Sequence, residues 1–143
     1  PYGMRREILM SPLGIPCTAP PWGRLVALDL ERRRIAWSVP LGTSRDLAPF
    51  PFWWIRGVPA LGGPVVTKSG LVFVGAATDD YLRAFDVRSG AELWKGRLPG
   101  GGQATPMTYE LDGRQYVVIA AGGHAGADTT LGDTLIAFAL PKE

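Results

Sequence analysis

His124 is the single histidine of a 143-residue chain, and it stands in a run of small residues, Gly122-Gly123-His124-Ala125-Gly126. A neutral imidazole gives one hydrogen bond and takes another, and flanking glycines let backbone come close to a ligand. Two readings stand at this level: a ligand-contacting side chain on a glycine-rich loop, or a solvated loop residue without a task. Other chemistries find less support. A lone loop histidine supports no Ser-His-Asp nucleophile set, and one His with one Cys (Cys17) makes no zinc spacing. Asp79, Asp80, Asp128 and Asp133 lack the Asp-x-Asp-x-Asp-Gly order of a calcium loop, so they read as turn caps. Gly100-Gly101-Gly102 leads into a strand pattern rather than a helix, and no phosphate-binding glycine motif is present.

The elements that must position His124 are short strands. Ala27, Asp29 and Trp37 recur as Ala84, Asp86 and Trp94, each displaced by 57 residues. A constant offset between strand-like segments marks a repeat architecture. Residues 62–99 are the clearest unit. Strands are expected at Val65-Val66-Thr67, Leu71–Ala76, Tyr81–Asp86 and Ala91–Arg97, with turns at Ser69-Gly70, Thr78-Asp79-Asp80 and Arg88-Ser89-Gly90. Four antiparallel strands joined by tight turns make one propeller blade. Residues 100–143 repeat the plan with strands at Ala104–Tyr109, Gln115–Ala121 and Thr134–Leu140 and a hairpin turn at Leu111-Asp112-Gly113, but show no fourth strand. Residues 1–41 supply a third and fourth strand, Leu25–Leu30 and Ile35–Val39, after a Pro-rich start. Residues 42–61 are an insertion carrying Phe50-Pro51-Phe52-Trp53-Trp54, read as a plug over the propeller face in preference to an anchor for a membrane or partner. The expected fold is therefore all-β: two to three antiparallel blades of a propeller.

Composition agrees with that fold. The chain is 46% hydrophobic and 20% charged, and its 19 Gly and 13 Pro lie between apolar runs, which means many turns. A formal net charge of +2 gives no case for nucleic acid, and Arg32-Arg33-Arg34 falls in a hairpin turn. The opening PYGMRRE has no signal-peptide pattern, and the longest apolar run, Tyr116–Ala121, is too short to cross a bilayer. Any membrane anchor is expected outside this chain.

Each repeated residue has a physical reason. A small Ala on the third strand lets the next blade approach. The Asp at the strand end accepts turn N–H groups. Trp37 and Trp94, on outer strands, offer a flat apolar face and one N–H donor to a neighbouring blade. Arg33 replaces Gly90 in the first repeat, so a turn of different shape is expected there.

The pattern Ala-x-Asp-x3-Gly-x3-Trp, complete at Ala84, Asp86, Gly90 and Trp94, resembles the tryptophan-docking motif of quinoprotein dehydrogenases that use pyrroloquinoline quinone (PQQ). MSPLGIPC, PPWGRLVALDL, LGGPVVTKSGLVFVGAATDDYLRAFD, LPGGGQATPMTYELDGRQYVVIAAGGHAG and IAFALP resemble the C-terminal end of the membrane-bound branch of that family. The branch includes glucose, quinate/shikimate and polyol dehydrogenases. The resemblance implies an eight-bladed propeller with PQQ and Ca²⁺ on its axis, of which this chain would be the last two to three blades. It implies an enzyme on the periplasmic side of the bacterial inner membrane that oxidises a polyhydroxy substrate and passes electrons to ubiquinone. It places no catalytic residue and no metal ligand in this chain, which alone would be inactive and would lack the N-terminal blades as partners.

The resemblance matches His124 to a family histidine near the cofactor and substrate pocket. Gly123, beside it in the loop, is a further pocket candidate, and so are Gly62, Gln103 and Thr105, because innermost strands line a propeller axis. For Gly63 and Ala104 inner-strand packing is the preferred reading. The rival to an enzyme is a non-catalytic propeller scaffold or binding module, which would not need the Gly-Gly-His loop. An unfinished blade leaves strand edges unpaired, so self-association of the isolated chain is also expected.

Overall fold

The computed structural model describes residues 2–4, 9–12 and 15–141. Parts of the opening PYGMRRE, Leu13 and Gly14 of MSPLGIPC, and residues 142–143 lie outside the described residues. Among the described residues nine strands form three antiparallel sheets. β1 (Arg24–Asp29) pairs with β2 (Arg34–Pro40). The middle sheet has the order β3-β4-β5-β6: Val65–Val66, Leu71–Val74, Tyr81–Asp86 and Glu92–Arg97. The third sheet has β7 (Met107–Leu111), β8 (Arg114–Ala121) and β9 (Thr134–Ala139). The strands are those the turn residues punctuate. β7 starts three residues later than its apolar pattern suggests, next to Pro106, which has no N–H to give a ladder. It also takes in Leu111, because the turn needs only Asp112 and Gly113, both at positive φ (52° and 72°), the backbone of a two-residue hairpin turn.

The two repeats share a register as well as a spelling. Ala27 lies opposite Trp37, and Ala84 lies opposite Trp94. In both hairpins the register then shifts, after Ala27 and after Ala84, so one residue of the outer strand is left over. The bulge accommodates the odd residue that seven spacers introduce and keeps the Asp at the turn. Asp29 accepts hydrogen bonds from the Arg32 N–H (2.9 Å) and guanidinium (3.0 Å). Asp86 accepts from the N–H groups of Arg88 (3.0 Å) and Ser89 (2.8 Å) and from the Ser89 hydroxyl (2.8 Å). These bonds, that of the Ser89 hydroxyl first, hold the Asp86 carboxyl below its ordinary range. The turns do not differ as expected: Arg33 takes the left-handed conformation (φ 49°) that Gly90 takes (φ 71°).

The sheets are joined face to face by two cores. Leu41, Val58, Val72, Val74 and Phe85, with Leu25 and Val39, fill the space between the first two sheets. Leu82, Leu98, Val117 and Ile119, with Ile136 and Phe138, fill the space between the second and third. β5 therefore has both faces covered. Trp37 reaches from β2 to the middle sheet, where its indole N–H donates to the Val87 carbonyl (2.9 Å) and its ring lies over Gly90. Trp94 meets Phe138 of the third sheet edge-on, with centroids 5.2 Å apart.

Residues 41–58 leave the sheets and return on themselves. Val58 donates to the Leu41 carbonyl, Gly57 to that of Gly42, and Ser44 to that of Ile55, at 2.9–3.0 Å. The tip holds two 3-10 turns, Ser44–Asp46 and Phe52–Trp54. Arg97 ties it to the middle sheet through both carboxylate oxygens of Asp46 (2.8 and 2.7 Å). The aromatic residues are not packed as a plug within this chain. Phe50, Phe52, Trp53 and Trp54 are exposed, and Phe50 stacks edge-on against both tryptophans.

Candidate functional site

A cleft of about 680 Å³ opens where three segments converge. One wall is the 41–61 segment, with Ser44, Leu47, Ile55 and Pro59–Leu61; another is Trp22 with Met10 and Ile15; the third is the turn carrying His124 and Asp128. That volume suits a small-molecule site, mostly apolar with a few polar groups.

His124 follows the end of β8 and precedes the 3-10 turn Ala125–Ala127, which Asp128 closes in the left-handed conformation (φ 53°). Its imidazole is exposed and, among the described residues, has no hydrogen-bond partner. Its backbone is held. The His124 N–H donates to the Thr129 hydroxyl (2.8 Å), which donates to Gln103 Oε1 (2.9 Å), and Gln103 Nε2 donates to the Ala77 carbonyl (3.0 Å). Gly101 clasps the same loop, giving its N–H to the Thr130 carbonyl and taking one from Gly123, both at 2.9 Å.

Of the sequence candidates, His124 alone lines the cleft. Gly123 stands behind it at φ 68°, where a Cβ would meet the Thr130 carbonyl. Gln103 braces the loop through Thr129, and Gly62 (φ 118°) packs on the Gln103 carbonyl; neither these two nor Gly123 lines the cleft. Thr105 stands apart, accepting from the Gly63 N–H at 3.3 Å.

Three features escaped sequence reading. Thr129, buried at 8% exposure, carries the link to Gln103 but sits in an unremarkable Asp-Thr-Thr run. Thr78 lines the cleft, with its hydroxyl buried and unpartnered. Asp79 is not a turn cap but half of a buried bidentate ion pair with Arg83 (2.8 and 2.5 Å), and it also accepts the Thr43 N–H (2.8 Å). Asp80 accepts from the Thr130 hydroxyl (3.2 Å), and burial pushes its carboxyl above the ordinary range.

Among the described residues no three His, Cys, Asp or Glu side chains converge, and no Lys or Arg lines the cleft. These residues therefore do not by themselves fit a divalent cation or an anionic quinone bearing several carboxylates.

Serial antiparallel sheets of two, four and three strands, packed face to face with Trp37 and Trp94 at the junctions, define part of a β-propeller. The model of the family described as "PQQ: Glucose/ethanol/alcohol dehydrogenase, beta-propeller domain" matches residues 1–117, and the chain belongs to that family. It is 48% identical over 147 residues to the quinoprotein glucose dehydrogenase of Escherichia coli (strain K12), a match covering 100% of this chain and 18% of that relative. It is 50% identical over 147 residues to the probable quinate dehydrogenase (quinone) of Xanthomonas campestris pv. juglandis, covering 99% of this chain and 18% of that protein. The crystal structure of quinohemoprotein alcohol dehydrogenase from Comamonas testosteroni superposes with a TM-score of 0.60 at 27% identity, over 87% of this chain and 17% of that one. The chain thus spans under a fifth of the length of these relatives.

Proposed function

We propose that this chain is the C-terminal part of a PQQ-dependent dehydrogenase that oxidises a sugar, polyol or cyclic hydroxy acid and delivers electrons to ubiquinone. In this reading the parent enzyme works at the periplasmic side of the bacterial inner membrane, with PQQ and Ca²⁺ held mainly by residues of its other blades. The family match and the glucose and quinate relatives support the reaction class. What carries a role for this segment is the unpartnered imidazole of His124, set on a braced loop at the mouth of a cleft. One ring nitrogen can donate and the other accept, which suits a substrate hydroxyl. The two to three blades form one wall of the pocket and do no oxidation alone.

In the full-length enzyme, His124→Ala is expected to raise KM for the preferred substrate roughly tenfold, the worth of a hydrogen bond to a polar ligand, with the melting temperature unchanged. Unchanged kinetics with every sugar, polyol and hydroxy acid tried would overturn the role of His124 and favour a scaffold. The isolated chain, whose β1 and β9 have one unpaired edge each, is expected to self-associate. Native mass spectrometry with and without PQQ and Ca²⁺ checks this; a clean monomer in dilute solution would rule it out.

A further inference from the structure

We infer that Thr129 is a positioning residue for His124, acting with Gln103 as a relay that joins two of the three walls of the cleft. The inference rests on the reading that His124 meets the substrate. The relay starts at the His124 backbone and ends at the carbonyl of Ala77, which is fully buried. Ala77 forms a bridge with Ala60, and Thr78 donates its N–H to the Pro59 carbonyl (2.9 Å). Pro59, Ala60 and Thr78 line the same cleft as His124. One chain of three hydrogen bonds therefore ties the wall that carries the imidazole to the wall that holds Pro59 and Ala60.

The relay has one sense. The Ala77 carbonyl requires a donor, so the Gln103 amide must present its NH₂ there and its oxygen to Thr129. The Thr129 hydroxyl then donates to Gln103, and its lone pair is left for the His124 N–H. Valine has nearly the shape of threonine but neither donates nor accepts, so it breaks both bonds; serine keeps both. Gly101 leaves the room this arrangement needs. A Cβ there would lie 2.2 Å from Gln103 Oε1 and 2.6 Å from Thr129 Oγ1. Gly101, in the middle of the Gly100-Gly101-Gly102 run, thus has a steric reason tied to the His124 loop.

A merely structural threonine would move stability and nothing else. A positioning threonine moves KM through His124. The test compares His124→Ala, Thr129→Val, Thr129→Ser, Gln103→Leu and the His124→Ala/Thr129→Val double variant in the full-length enzyme. Readouts are steady-state kinetics with an artificial electron acceptor and hydrogen exchange of residues 122–131. Thr129→Val and Gln103→Leu are expected to raise KM roughly fivefold, the worth of one neutral hydrogen bond, and to speed exchange at the His124 N–H. Thr129→Ser is expected to behave as wild type. The double variant is expected to be no worse than His124→Ala alone, because nothing remains to position. If His124→Ala changes KM while Thr129→Val and Gln103→Leu do not, the relay has no positioning role and the inference falls, though His124 keeps its own. An additive double variant overturns it as well. If His124→Ala is silent, the reading of the site fails and the positioning role goes with it. A Thr129→Val chain that fails to fold leaves Gln103→Leu, which breaks the same relay from the other side, to decide.

Discussion

Arg83→Met is expected to destabilise the chain by about 3–5 kcal/mol, the cost of leaving a buried charge without its partner. Arg83 and Asp79 are 2% and 0% exposed, and they meet through two charge-assisted bonds. Arg83 also lies over the Tyr81 ring, 5.3 Å from its centroid, and its Nε is 3.3 Å from Glu92. Methionine fills most of the volume but supplies no cation, so Asp79 would keep only the Thr43 N–H and hydroxyl. Since a domain's whole stability is about 5–15 kcal/mol, this loss approaches global unfolding. Urea denaturation measures it. The diagnostic variant is Asp79→Asn/Arg83→Met, which removes both charges and is expected to recover much of the loss. A single variant within about 0.5 kcal/mol of wild type, the range of an ordinary surface change, would show that the pair is not a buried one in solution. Thr43 sits at the base of the 41–58 segment, so loosening there should reach the wall of the cleft that Ser44, Ile55 and Val58 build.

Gly90→Val is expected to cost about 3 kcal/mol, from overpacking and from a β-branched residue forced to positive φ. Any Cβ at this position would stand 2.6 Å from Trp37 Cε3 and 2.8 Å from Cδ2. The indole must then move, and its bond to the Val87 carbonyl goes with it. Trp37→Ala removes the same contact from the other side. The two changes together should therefore cost clearly less than their sum, since they share one interaction. Thermal melts of the four proteins close the cycle; strictly additive losses would mean that Trp37 and Gly90 do not dock the first sheet onto the second.

The strands were legible because their signals are local. Asp112-Gly113 and Ser89-Gly90 punctuate runs whose alternation or apolarity marks a strand, and a hairpin needs nothing beyond its own residues. The repeat was legible for the same reason: Ala, Asp and Trp at fixed spacing encode one hairpin with one bulge. His124 could be singled out as the lone imidazole among glycines. Its surroundings could not. Gln103 was suspected for the position it holds on an inner segment, yet both ends of its amide are spent on Thr129 and Ala77, each 26 residues away. Asp79 was read as a turn cap because it stands in a turn; its burial against Arg83 depends on two neighbouring elements closing over it. The aromatic tip reads as a plug from its hydrophobicity; within this chain Phe50, Phe52, Trp53 and Trp54 are exposed, on a segment closed by the backbone bonds between residues 41–44 and 55–58.

The sequence by itself determined an all-β chain of repeated hairpins and singled out its lone histidine, His124. Backbone propensity, turn geometry and alternation act over a few residues, and side-chain identity is explicit. Only the tertiary structure decided which groups support that residue, which carboxylate is a buried ion pair and which aromatics stay exposed. Those outcomes depend on hydrogen bonds and burial between segments far apart in the chain, where each partner's meaning is set by what closes against it.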